Sequence, residues 1–218
     1  MVMGQSDPGS LSSSAPGLPD VERARAYAVA RLERELSPEL CYHSIDHTCD
    51  DVVPACERFA AAEGVSGADL ALLRTAAYFH DLGFVEQRED HELIGARIAG
   101  EVLPGLGYRA AEIAQIAGMI MATRLPQSPQ TLLERILADA DLDVLGRGDF
   151  LVKNHNLRLE MAYFGLPASD AEWYRVQLQF LRAHRYWTPA AGALRDEQKQ
   201  RNIAAMAQLL LVSLDGNR

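Results

Sequence analysis

Residues 66–84 read SGADLALLRTAAYFHDLGF. Leu73, Ala76, Ala77 and His80 recur at three- and four-residue intervals, so on a helix they share one face. Ser66, with Asp69 three places on, is a capping-box-like start, and Gly83 is a stop. The stretch predicts a core helix whose apolar face runs out into two ionisable residues, His80 and Asp81.

The same periodicity continues on both sides. Upstream, Ala24, Ala28, Leu32 and Leu36 recur every four residues, a pattern ended near Ser37-Pro38. Downstream, a helix over about 90–103 carries His91, Ile94, Ile98 and Val102 on one stripe, and Pro104 stops it. Ile113, Ile116 and Ile120 mark the next. Ser128-Pro129 reads as an N-cap and first-turn pair opening a helix through Leu133, Ile136 and Leu137. Residues 147–164, 170–184 and 196–214 are three further helical stretches. Alternating strand patterns and Asn-Gly hairpins are absent. The fold class expected is all-α, a single helical domain over residues 21–218. Residues 1–20 contain eleven Gly, Ser or Pro and are expected to form a disordered tail.

Composition removes several function classes. The formal net charge is −9, which argues against a nucleic-acid polymer as partner, because such binders need cations to displace counterions from phosphate. No apolar run approaches ~18 residues, and the N-terminus lacks a basic segment followed by an apolar one, so neither a membrane span nor a signal peptide is expected. Cys41, Cys49 and Cys56 fit no paired zinc spacing and read as small buried hydrophobes in a reducing, cytoplasmic setting. Phosphate-loop, dinucleotide-binding and nucleophile-elbow motifs are absent.

Four segments carry metal-type ligands. They are Tyr42-His43-Ser44-Ile45-Asp46-His47-Thr48, the His80-Asp81 pair, His91, and Ala138-Asp139-Ala140-Asp141-Leu142-Asp143. His43 and His47 are four apart and point the same way on a helix. Three carboxylates within five apolar-flanked residues would repel one another if buried without a cation. Each piece alone is weak: a histidine on an apolar face is commonly a hydrogen-bonded core residue, and an aspartate cluster is commonly a cap. The order is more specific. His-x3-His is followed 33 residues after His47 by His-Asp, and about 60 residues later by Ala-Asp-Leu.

That order resembles the HD superfamily of metal-dependent phosphohydrolases, which includes cyclic-nucleotide phosphodiesterases. The segments YHSIDHT, AAYFHDLGF, DHELIGARIA, GMIMATRLPQSPQ, ILADADLDVLGRGDF, NLRLE and FLRAHRYWT resemble a bacterial branch of stand-alone HD-domain proteins. They span about residues 40 to 205. The resemblance implies an HD-type helical bundle and places His47, His80, Asp81 and Asp141 as metal ligands. Asp139 is the rival of Asp141. Both lie near the edge of the same helix stripe, and the Ala-Asp-Leu register prefers Asp141. The resemblance also implies that His43 protonates the leaving oxygen.

Two imidazoles and two carboxylates suit one divalent ion among Mn, Fe, Co, Ni, Zn or Mg. Such an ion lowers the pKa of a bound water towards neutrality, providing a hydroxide, and polarises a phosphoryl oxygen. Dinuclear HD proteins carry extra histidines between the His-Asp pair and the last Asp. Here His91 alone falls in that interval, and residues 119–123 read MIMAT, which favours one metal over two and speaks against di-iron oxygenase chemistry. His91 and Asp139 remain open as second-site or supporting groups. Lys153, Arg158 and Arg185 are the candidates for binding an anionic substrate, with Arg124 and Arg147 behind them. His155 and His184 read as structural, and Trp173, Tyr174 and Trp187 as core aromatics more than base-stacking ones.

The expected function is hydrolysis of a nucleotide or other small phosphoester. A nucleotide- or metal-binding sensor without turnover is the alternative. The expected partner is that small anionic ester and neither nucleic acid nor a membrane; the oligomeric state is open, a homodimer included.

Overall fold

The computed structural model describes residues 19–166 and 169–215. Among them there are nine α-helices and no β-strand: α1 Val21–Glu35, α2 Val53–Ala62, α3 Gly67–Phe79, α4 His91–Val102, α5 Ala110–Ala122, α6 Leu132–Asp141, α7 Phe150–Tyr163, α8 Asp170–Ala183 and α9 Pro189–Asp215. No helix among the described residues is long and apolar enough to cross a membrane. The tail expected over 1–20 lies outside the described residues except for Pro19 and Asp20, and the Asp20 carboxylate caps α1 by accepting from the Arg23 N–H.

Helix α3 is the centre. Leu73, Ala76, Ala77 and Phe79 are fully buried, and the helix packs against α1, α2 and α5, with α6 closing the layer. Small residues at Ala76 and Ala77 let neighbouring backbones approach, while Phe59, Phe79, Ile116 and Ile136 fill the space between them. A second apolar cluster, Val144, Leu145, Phe150, Leu178, Leu181 and Met206, ties α7, α8 and α9 to the short turn at Asp143–Gly146. His80-Asp81 and Asp141 stand where these two layers meet.

Several helix starts differ from expectation. Ser66 occupies the cap position of α3 but its side chain makes no capping bond. Asp69 is a methylene shorter than the Glu of a capping box, and Gly67 turns the entry with φ of +60°. Helix α6 starts at Leu132, not at Ser128-Pro129, because Thr131 and Glu134 form the reciprocal box. Helix α9 starts seven residues before Asp196, at Pro189, where Thr188 Oγ1 accepts from the Ala191 N–H and proline takes the first helical position. Cys41 is exposed, contrary to the buried reading; Cys49 is half-buried and Cys56 is buried.

Upstream of α2 the chain makes a wide π turn over His47–Val52. Pro54 accounts for it: proline has no N–H for the Asp50 carbonyl and its ring crowds that carbonyl, so the preceding turn opens. The π turn buries His47, Thr48, Asp51 and Val52.

Candidate metal centre

His80 follows the last residue of α3, and its ring is oriented from behind. Nδ1 lies 2.7 Å from the Ala77 carbonyl and donates to it, which turns Nε2 towards the carboxylates. That Nε2 lies 3.2 Å from Asp81 Oδ2 and 3.5 Å from Asp141 Oδ1. His47 Nε2, from the π turn, lies 3.7 Å and 3.3 Å from the same two oxygens. Asp141 is the last residue of α6. Three separate elements thus bring two imidazoles and two carboxylates to one point, and His47, His80 and Asp141 offer ligand atoms all within 4.8 Å of one another.

These separations suit a cation. Ligands at about 2.1 Å from an ion sit roughly 3.0–3.4 Å apart along the edges of an octahedron or tetrahedron. His80 Nε2 and Asp81 Oδ2 are both buried with no hydrogen-bond partner. Polar atoms are rarely left so unless something binds them. Burial raises the Asp81 carboxyl, yet the neighbouring His80, His43 and His47 outweigh it and hold it well below the usual carboxylate range. Burial likewise opposes ionisation of Asp141, and the bonds from His47 and His80 bring it down to about 2. Both carboxylates are therefore charged and face the imidazoles.

A supporting layer surrounds the four. Asp51 lies 4.0 Å from His47 Nδ1 and is itself gripped by Arg147 and, at 2.6 Å, by Lys153. Glu160 of α7, fully buried, places Oε1 2.5 Å from His43 Nδ1, while Oε2 accepts the backbone N–H groups of Tyr42 and His43. Burial lowers the His43 pKa, and the Glu160 bond together with the Asp81, Glu160 and Asp141 charges outweighs it and leaves it raised. Phe84 stacks between two imidazoles, with ring centroids 4.5 Å from His43 and 4.0 Å from His91. His91 Nδ1 takes the Arg88 carbonyl at 3.0 Å, and its Nε2 lies 3.5 Å from both Asp81 Oδ1 and Glu92 Oε1. The α4 N-terminus reaches this position because Gly83 has no side chain: a Cβ there would sit 1.9 Å from the His91 carbonyl oxygen.

Asp139 faces elsewhere. Two residues before Asp141, it is turned about 200° around the helix. Its carboxylate accepts from the backbone N–H groups of Trp187 and Thr188 and from Thr188 Oγ1, fastening the start of α9 to α6. Burial pushes it up to about 6 against those bonds.

The centre opens into a cavity of about 490 Å³. His43, Asp81, His91 and Asp141 line it; Lys153, Arg158 and Arg185 do not. Lys153 is bound to Asp51, Arg158 pairs with Asp170 at 2.7 Å, and Arg185 donates to the Arg182 and His184 carbonyls. The cations on the cavity wall are Arg88 and Arg124. Arg124 pairs with Asp90, and Arg88 lies over the Phe164 ring. Trp173 is core and gives its indole N–H to Asn154; Trp187 is exposed; neither they nor Tyr174 line the cavity. His155 is exposed, and His184 Nδ1 takes the Lys199 ammonium at 2.8 Å. Reading the residues along the chain missed Glu160, Asp51 and Arg88. Glu160 lay inside a quoted segment, but no local spacing connects it to a histidine 117 residues away.

Residues 46–143 match the family model for the HD domain, a span that contains His47, His80, Asp81 and Asp141. None of the curated proteins compared matches the chain. The crystal structure of a predicted HD superfamily hydrolase from an uncultured Thermotogales bacterium matches it over 92% of this chain and 94% of that one, with a TM-score of 0.57 and 19% identity. At that identity the likeness is one of fold.

Proposed function

The chain is an HD-domain protein, and from that premise we propose that it is a divalent-metal-dependent phosphohydrolase acting on a nucleotide or another small phosphoester. The observation that carries the reading is the pair of buried, unpartnered atoms His80 Nε2 and Asp81 Oδ2, set among four ligand-type side chains beside an open cavity.

His47, His80, Asp81 and Asp141 would hold the cation. When bound, a divalent ion supplies Lewis acidity, lowering the pKa of a water and offsetting charge on a phosphoryl group. The protein's own part is positioning and proton transfer. The Ala77 carbonyl orients His80, and the Asp51 carboxylate faces His47 Nδ1 at 4.0 Å. His43, its Nδ1 held by Glu160, keeps Nε2 for a proton to give to the departing oxygen. Arg88 provides positive charge against the remaining phosphoryl oxygens.

The test is metal analysis of the purified protein, followed by hydrolysis of an aryl phosphate with added Mn, Co or Ni. Asp81→Ala should lose both metal and turnover. Retention of both would end the assignment. Tight nucleotide binding without turnover under any metal would make the protein a sensor instead, and two irons per chain would point to oxidative chemistry.

A further inference from the structure

The cavity is not uniform. The residues that α4, the His80-Asp81 turn and the end of α6 contribute are mostly charged or ionisable. Those from the Asp143–Gly146 turn, α7 and α8 include no charged side chain: Leu145, Phe150, Leu157, Met161, Val176 and Phe180 make up most of this part. The carbonyl oxygens of its two amides are already engaged. Asn154 Oδ1 accepts from the Trp173 indole, and Asn154 Nδ2 donates to Gln177 Oε1 at 2.7 Å.

We infer that the substrate is a monophosphate ester of an apolar alcohol, aryl or medium-chain alkyl, with the phosphate at the candidate metal centre and the organic group against α7 and α8. This rests on the phosphohydrolase reading above. Two observations carry it. A sugar or a base seated against this wall would bury hydroxyl and amide groups with few partners, a penalty that apolar groups avoid. Charge also limits the phosphate end. Five carboxylates against two guanidiniums line the cavity, so one divalent cation leaves it with no surplus positive charge. One phosphoryl group suits that balance better than a polyphosphate tail. The volume, about 490 Å³, is in the range of sites that enclose a small organic ligand.

The experiment uses the full chain loaded with Mn or Co and two parallel series. The first measures kcat/KM for n-alkyl phosphates from methyl to hexyl, with glycerol phosphate and a nucleoside monophosphate alongside. The second measures binding of the matching non-hydrolysable alkylphosphonates by calorimetry. Both should rise about two- to fourfold per methylene until the cavity fills, and hexyl phosphate should exceed glycerol phosphate and the nucleotide at least tenfold. Val176, exposed at the surface of α8, tolerates a charge, so Val176→Glu should flatten both slopes without unfolding the protein, as judged by its melting curve. Leu157→Gln is the second variant. Turnover with a flat chain-length dependence, or with the nucleotide preferred, overturns the inference and leaves the hydrolase reading standing. Phosphonate affinity that climbs with chain length while no ester is cleaved overturns the hydrolase reading and keeps the apolar site.

Discussion

Glu160 holds His43 across the two layers of the fold: its Oε1 lies 2.5 Å from Nδ1, and its Oε2 binds the Tyr42 and His43 backbone N–H groups at 2.9 and 3.0 Å. One fully buried carboxylate thus fixes both the ring and the backbone that carries it. In Glu160→Gln the amide NH2 must face either those two N–H groups or the imidazole N–H. Expected are a loss of about 1–3 kcal/mol in stability and a fall in kcat of about 10- to 100-fold, with metal content unchanged. Denaturant melts, metal analysis and a KM-against-kcat split separate the three; a drop in metal content would show that Glu160 serves the centre directly.

Asp139 and Asp141 are two residues apart and do different things. Asp139→Ala removes three hydrogen bonds from the α9 start and should cost about 2–4 kcal/mol, leaving metal stoichiometry intact. Asp141→Asn should weaken metal binding at least about 100-fold, and the metal-free protein should melt somewhat lower than the parent, because the charged contacts to His47 and His80 that hold Asp141 ionised are lost. Reversed outcomes would reassign the ligand to Asp139.

The His184–Lys199 pair sets a pH dependence. Burial, then the Lys199 and Arg185 charges, depress the His184 pKa to about 3. An unfolded histidine titrates near 6.5. Below that value the unfolded chain takes up a proton that the folded chain refuses, so this contribution to stability is full above about 6.5 and lost as pH falls towards 3. The slope is at most about 1.4 kcal/mol per pH unit. Melts between pH 6.5 and 5 with a chelator present should show a shallower decline for His184→Gln than for the parent. Equal slopes would show that His184 protonates freely in the fold.

Gly83→Ala places a Cβ 1.9 Å from the His91 carbonyl oxygen, backbone that cannot swing aside. The α4 N-terminus must then shift off the His80-Asp81 turn. A loss of about 2–4 kcal/mol is expected, with metal affinity reduced because His91 and Asp81 move apart. A denaturant midpoint within error of the parent would mean the turn yields instead.

Most of the helices and the order of the ligand-type residues were legible along the chain. Helix periodicity is local: Ala24, Ala28 and Leu32 meet the core whatever they pack against. The order of His47, His80-Asp81 and Asp141 carried the resemblance that implied one metal centre, while helix periodicity by itself placed only His80-Asp81 at the end of an apolar face. Tertiary structure decided everything that depends on distant partners. It separated Asp139 from Asp141, since only the arrival of Thr188 from α9 shows where Asp139 is used. It took Lys153 and Arg147 to Asp51, brought Glu160 to His43, and put Arg88 rather than Arg158 or Arg185 on the cavity. A cation pairs with whichever carboxylate the packing sets beside it. That choice is made between helices, by burial and charge, and leaves no period in the sequence.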